Sequence, residues 1–175
     1  MINLTPDSFS ESSSLPTFHS ADYHGLDVGA ESTNPNSHAL SVAEEQGRLK
    51  AGLVPALKTW PQGLTLSLDS YKLETIRWLA PQVPNGVELV WNDVSGQLTG
   101  VVEVLKEFPR LKYIYCHNPV PSRAETVQHV HYKTEGAITP RLKQFFLQGL
   151  AHFGDLVPRV IADPCFGFGK TREQN

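Results

Sequence analysis

The chain has 175 residues, of which 40% are hydrophobic and 19% charged, with a formal net charge of −3. That length buries a sizeable core in a single domain spanning residues 1–175, and the balance of apolar and charged residues excludes disorder as the ground state. The charge supplies no basic field for nucleic acid, no apolar run reaches the ~20 residues of a membrane span and no basic-then-apolar leader follows Met1, so neither nucleic acid nor membrane is expected as a partner.

Ile2-Asn3-Leu4 is a short apolar stub that passes at once into Thr5-Pro6-Asp7-Ser8-Phe9-Ser10, turn chemistry leaving a strand. Glu11 to Asp22 is Ser-rich, contains Pro16 and has no helical period, which predicts a loop. Gly25 to Ala30 reads as a second strand, ended by Glu31-Ser32-Thr33-Asn34-Pro35-Asn36. Leu40, Leu49, Leu53 and Leu57 then recur at helical spacing, with Ser37 or Ser41 as cap and Trp60-Pro61 as stop.

Leu64 to Asp69 alternates as a third strand ending in a carboxylate, followed by a short helix carrying Leu73, Ile76 and Leu79. Val87 to Asn92 is a fourth strand, and Leu98, Val101, Val104, Leu105 and Phe108 make the next helix. Tyr113 to His117 is a fifth strand, the polar segment 122–136 a long excursion, and a helix from Pro140 to Phe153 leads to a sixth strand, Leu156 to Ala162. That last strand delivers Asp163 into Pro164-Cys165-Phe166-Gly167-Phe168-Gly169-Lys170.

Strands alternating with helices, each strand ending in an acid, an amide or a turn, predict an α/β fold: a parallel β/α barrel or an open doubly wound sheet. A complete barrel has eight units and about 250 residues. The expectation is therefore a partial (β/α)8 barrel of six strands, or a sequence that omits segments of a longer chain.

Asn3, Asp69, Asn92 and Asp163 all fall at strand carboxyl ends, which converge on one face of a parallel barrel. Carboxylates accept where amides both donate and accept, so together they clamp a planar heterocycle presenting ring N–H, amino and carbonyl groups. Val94 and Phe166 would supply apolar walls. Taken singly, each polar residue is equally well a helix cap or a turn former.

In order, Asn3-Leu4-Thr5-Pro6-Asp7-Ser8-Phe9-Ser10, Asp27-Val28-Gly29-Ala30-Glu31-Ser32-Thr33-Asn34-Pro35, Leu68-Asp69-Ser70-Tyr71-Lys72, Asn92-Asp93-Val94-Ser95-Gly96 and Asp163-Pro164-Cys165-Phe166-Gly167-Phe168-Gly169-Lys170-Thr171 resemble the strand-end motifs of the dihydropteroate synthase family. The resemblance implies a pterin-binding barrel that joins p-aminobenzoate to 6-hydroxymethyl-7,8-dihydropterin pyrophosphate with Mg²⁺, giving dihydropteroate and pyrophosphate in folate biosynthesis. It implies pterin contacts at Asp69, Asn92 and Asp163, and Asn3 beside magnesium and pyrophosphate. Thr5, Asp7, Ser8 and Phe9 fall on a first loop, and Thr33, Asn34 and Pro35 on a second, that close over the aminobenzoate. Phe168 resembles the aromatic packed near that ring, and Cys116 stands in an apolar wall where the family often has Met.

Asn34 replaces the family's usual Arg and Asn36 its usual Gly, while Glu11-Ser12 replaces a common Asp-Gly. The family also supplies a lysine from a seventh strand and an Arg-x-His from an eighth, beyond the six strands read here. Lys170 belongs to the sixth loop and does not take that lysine's place. Two alternatives follow: a catalytically silent pterin-binding partner subunit, and a methyltetrahydrofolate-dependent methyltransferase, against which the Thr-Pro-Asp-Ser-Phe-Ser loop speaks. Outside the resemblance, Glu125 with His129 and His131 gives a weak zinc pattern, and Gly169-Lys170-Thr171 lacks the earlier glycine of a phosphate-binding loop. Cys116 and Cys165 form no Cys-x-x-Cys pair and follow apolar runs, which predicts free thiols and a cytoplasmic location. Helices of an incomplete barrel would leave apolar faces to cover, and a homodimer is one way to do so.

Overall fold

The computed structural model describes residues 2–4, 23–31, 38–118, 138–166 and 170–174. Its six strands are β1 (Ile2–Asn3), β2 (Gly25–Gly29), β3 (Thr65–Asp69), β4 (Leu89–Asp93), β5 (Lys112–Cys116) and β6 (Val160–Asp163). They form one sheet in the order 1-2-3-4-5-6, every adjacent pair parallel. A doubly wound sheet reverses its strand order at a switch point. None occurs among the described strands, so the winding is that of a β/α barrel.

The helices are α1 (Val42–Gly52), α2 (Val54–Leu57), α3 (Leu73–Leu79), α4 (Val101–Glu107) and α5 (Ile138–Phe153). The core lies between them and one face of the sheet. Leu26, Val28, Leu66, Leu68, Trp91, Tyr113 and Tyr115 meet Leu49, Leu53, Ile76, Leu79, Val104, Leu105 and Phe153 there, all buried. Alternation along each strand turns the remaining residues to the opposite, concave face. Gly149 on α5 lies where an added Cβ would come within 2.2 Å of the Tyr115 ring, so only glycine lets this helix seat on β5.

The sequence predicts one helix from Leu40 to Leu57; the structure breaks it at Leu53. Pro55 has no N–H to continue the hydrogen-bond ladder, and α2 restarts with it in the first turn. Of the two candidate caps, Ser41 is used: its Oγ accepts the Glu44 N–H at 3.2 Å, and the Glu44 carboxylate accepts the Ser41 N–H at 2.8 Å. The fourth strand starts two residues later than the alternation suggests and runs to Asp93. The sixth is shorter than expected, because Gly154–Arg159 winds as a 3-10 segment around Pro158. Arg159 uses that turn to donate to the carbonyls of Leu105 and Phe108 at 2.6 and 2.9 Å, closing the end of α4.

Candidate functional site

Strand register assembles the site. Asn3 pairs with Gly29, Gly29 with Asp69, Asp69 with Asn92, and Asn92 with Ile114, so three of the four predicted polar residues share one row across the concave face. The fourth, Asp163, pairs with Cys116 and stands one two-residue step closer to the rim. Gly29 leaves room for its neighbour: an added Cβ would lie 3.3 Å from Asp69 Oδ2. One step below the row, Asp27 pairs with Ser67, whose hydroxyl donates to Asp27 Oδ1 at 2.5 Å. Asn92 Nδ2 donates to that same oxygen at 3.2 Å.

Asp69 is the electrostatic centre of this arrangement. Burial, then the charges of Asp27, Glu45 and Asp93, push its carboxyl up from 3.8 to about 7. No described residue donates a hydrogen bond to it. The Asn3 Oδ1 atom is also buried and has no hydrogen-bond partner among the described residues. Unpartnered buried oxygens are costly in a finished core and ordinary in a site built for a ligand.

Asp93, next to Asn92, faces the helices instead. It is fully buried and accepts from the Ser95 N–H at 2.8 Å, Gln97 Nε2 at 3.0 Å and the Tyr113 hydroxyl at 3.1 Å. Val94 is half-buried on the turn that follows, its carbonyl accepting from Asn118 Nδ2 at 2.7 Å. Phe166 is 66% exposed, so its ring forms no wall among the described residues. A second buried polar group lies beneath the second strand's end. Lys72 Nζ sits 2.6 Å from Glu31 and 3.6 Å from Glu45, Thr75 donates to Glu45 at 2.5 Å, and the Leu40 N–H donates to Glu31 at 3.0 Å.

The cysteine expectation is overturned. Cys116 and Cys165 form a disulfide, with Cα atoms 5.6 Å apart across a separation of 49 residues. Asp163 Oδ1 accepts the Cys165 N–H at 2.8 Å, a tight Asx turn that puts Cys165 at φ 56 and folds it back over the end of β5. Cys116 therefore stays at the rim beside Asp163, as half of a covalent bridge. The cytoplasmic expectation drew on two free thiols, and that support goes with the pairing. Lys170 donates to the carbonyls of Cys165 and His117 at 2.9 and 3.1 Å, bracing the same turn. The neighbouring His117 imidazole is buried and lowered to about 4, by burial first and the Lys170 charge second.

Thr5, Asp7, Ser8, Phe9, Thr33, Asn34, Pro35, Phe168 and the His129/His131 pattern lie outside the described residues. Sequence reasoning missed Asp27 and Ser67 as site residues. The signal was available: each lies two positions before a site-row residue of its own strand, on the face opposite the leucines.

A singly wound parallel sheet with acids and amides gathered at its strand carboxyl ends defines a ligand-binding β/α-barrel protein. The whole chain, residues 1–175, matches the family described as pterin binding enzyme, and the protein belongs to it. It is 32% identical over 190 residues to the dihydropteroate synthase of Synechocystis sp., a match covering 100% of this chain and 62% of that relative. The dihydropteroate synthase of Streptococcus pyogenes serotype M1 is 30% identical, with 100% and 65% covered. The Thermus thermophilus dihydropteroate synthase structure in complex with 4-aminobenzoate superposes with a TM-score of 0.72 at 28% identity, over 99% of this chain and 62% of that one. A Xanthomonas albilineans dihydropteroate synthase structure, at 23% identity and a TM-score of 0.75 over 99% and 63%, shares the fold. The chain thus spans under two thirds of these relatives' length.

Proposed function

We propose that this chain forms the pterin-binding part of a dihydropteroate synthase, condensing 6-hydroxymethyl-7,8-dihydropterin pyrophosphate with p-aminobenzoate. The observation that carries it is the row Asn3, Gly29, Asp69, Asn92 with Asp163 one step above. Asn92 and Asp163 stand two strands apart, about 10 Å at the usual strand spacing, a gap that a bicyclic ring with hydrogen bonds at both ends bridges. Asp69 and the Asn92 carbonyl accept the ring's adjacent N–H donors, and Asp163 takes the opposite edge. The two carboxylates favour positive charge developing at the exocyclic carbon as pyrophosphate departs.

The residues present fit Mg²⁺. A buried, unpartnered Asn3 Oδ1 is the neutral oxygen that a hard cation takes when substrate phosphates and water supply its other ligands. When bound there it offsets the charge on the leaving pyrophosphate. The reading is of an enzyme with small-molecule substrates; no nucleic acid enters it, since a net charge of −3 attracts no phosphate backbone. No described helix is long and apolar enough to cross a membrane.

Incubation with the pterin pyrophosphate, p-aminobenzoate and Mg²⁺ is expected to release pyrophosphate and yield 7,8-dihydropteroate. Pterin binding without turnover would reduce the role to that of a silent pterin-binding subunit. Asp69→Ala and Asp163→Ala are each expected to abolish pterin binding by calorimetry, and unchanged affinity in both would sink the site.

A further inference from the structure

One carboxylate below the site row is joined to it by geometry. Asp27 Oδ1 takes the Ser67 hydroxyl from the adjacent strand and the Asn92 side-chain N–H from two strands away, so one oxygen spans β2, β3 and β4. This fixes the rotation of the Asn92 amide. Turned the other way, Asn92 would aim its carbonyl oxygen at a carboxylate oxygen about 3 Å distant, an acceptor-on-acceptor contact with no proton between. With the nitrogen held by Asp27, no described residue donates to Asn92 Oδ1. That oxygen lies in register with Asp69, whose carboxylate likewise receives no hydrogen bond from a described residue.

We propose that Asp27 is a positioning residue: by anchoring the Asn92 nitrogen it commits the Asn92 carbonyl to the ligand, so that Asp69 and Asn92 together present adjacent acceptors that select a heterocycle edge carrying an amino group beside a ring N–H. This rests on the pterin-binding reading and deepens it, because it names which edge of the ring the β3–β4 side of the site recognises and what enforces the choice. A 2-amino edge offers two donors to two acceptors. A 2-oxo edge puts an oxygen against an acceptor and leaves both unpaired, a mismatch that sites built from buried polar groups reject strongly. Freed from Asp27, the Asn92 amide can rotate and donate to that oxygen.

The test measures calorimetric affinities of 6-hydroxymethylpterin and its 2-oxo counterpart, 6-hydroxymethyllumazine. The unaltered protein is expected to prefer the pterin at least a hundredfold. Asp27→Ala is expected to weaken pterin binding about tenfold and collapse the pterin-to-lumazine preference to tenfold or less. Asp27→Asn, which keeps an acceptor oxygen for Ser67 and Asn92, is expected to restore most of both. A folded Asp27→Ala protein with unchanged preference, or an Asp27→Asn protein as indiscriminate as Asp27→Ala, overturns the proposal. Should Asp27→Ala not fold, the side-chain amide of Asn92 in the unaltered protein decides by NMR. One N–H displaced downfield and slow to exchange supports the anchor, and two freely exchanging protons refute it. Absence of any pterin binding by the unaltered protein would instead overturn the functional reading, and this inference with it.

Discussion

Polar side chains on opposite faces of the sheet are treated differently, and the Asn92 carbonyl and Asp93 show it one residue apart. On the helix side, Asp93 accepts three hydrogen bonds, and the Lys72 ammonium is shared by the Glu31 and Glu45 carboxylates, the second of which also accepts from Thr75. On the concave side, Asp69 has like charges around it and no described donor, and Asn3 Oδ1 has no described partner. Satisfaction separates these two groups, although neither face is uniform: Asp27 Oδ1 accepts two hydrogen bonds on the concave face, and His117 Nδ1, its ring against Phe145 of α5, is buried without a partner among the described residues. Asp93 and the Lys72 cluster hold the fold, and Asp69 and Asn3 are held ready at a cost to it.

That contrast predicts mutational effects of opposite sign. The largest is expected from Lys72→Met, which removes the ammonium held between the buried Glu31 and Glu45 carboxylates. Removing one partner of a buried ion pair costs about 3–5 kcal/mol, read as a fall in urea midpoint. Next, Asp69→Asn is expected to stabilise. The folded state holds the Asp69 proton up to about 7, whereas the unfolded chain releases it near 3.8. Between those values the native state carries the extra proton, so stability falls as pH rises from about 4 to about 7 and stays low above that. Asp69→Asn should flatten this decline and add on the order of 2–3 kcal/mol at pH 8. A variant no more stable at pH 8 than the parent would break the comparison.

Asp93→Ala should cost about 2 kcal/mol at neutral pH, since it removes the acceptor of the Ser95 N–H, while the Tyr113 hydroxyl and Gln97 amide keep the carbonyls of Gln97 and Tyr71. Smallest per step is the pH dependence of ligand binding, about 1.4 kcal/mol for each pH unit. If Asp69 meets N–H donors as a carboxylate, pterin affinity should rise about tenfold per pH unit below 7 and level off above it, and Asp69→Asn should remove the slope.

Much of this was legible in the sequence. Five strand-end motifs in order located Asn3, Asp69, Asn92 and Asp163, because a polar residue closing an apolar run in a parallel fold has few places to go. Asp27 was not singled out, since it interrupts its strand between Leu26 and Val28 and marks no strand end. Its meaning comes from register, which links it to Ser67 and Asn92 across other strands. The cysteine pairing was invisible for a different reason. Residues 49 apart meet only because β5 and β6 are adjacent and Asp163 turns the chain back, and spacing alone carries no trace of that.

The Cys116–Cys165 bridge also changes the connectivity of the molecule. Everything between the two cysteines, α5 and β6 included, lies within one covalent ring, while the strands that carry Asp69 and Asn92 lie outside it. In the chain-entropy account, closing a ring of 49 residues stabilises by about 4 kcal/mol. A single proteolytic cut inside the ring should leave one full-length band on a non-reducing gel and two fragments once thiol is added. A cut before Cys116 should separate the pieces under either condition.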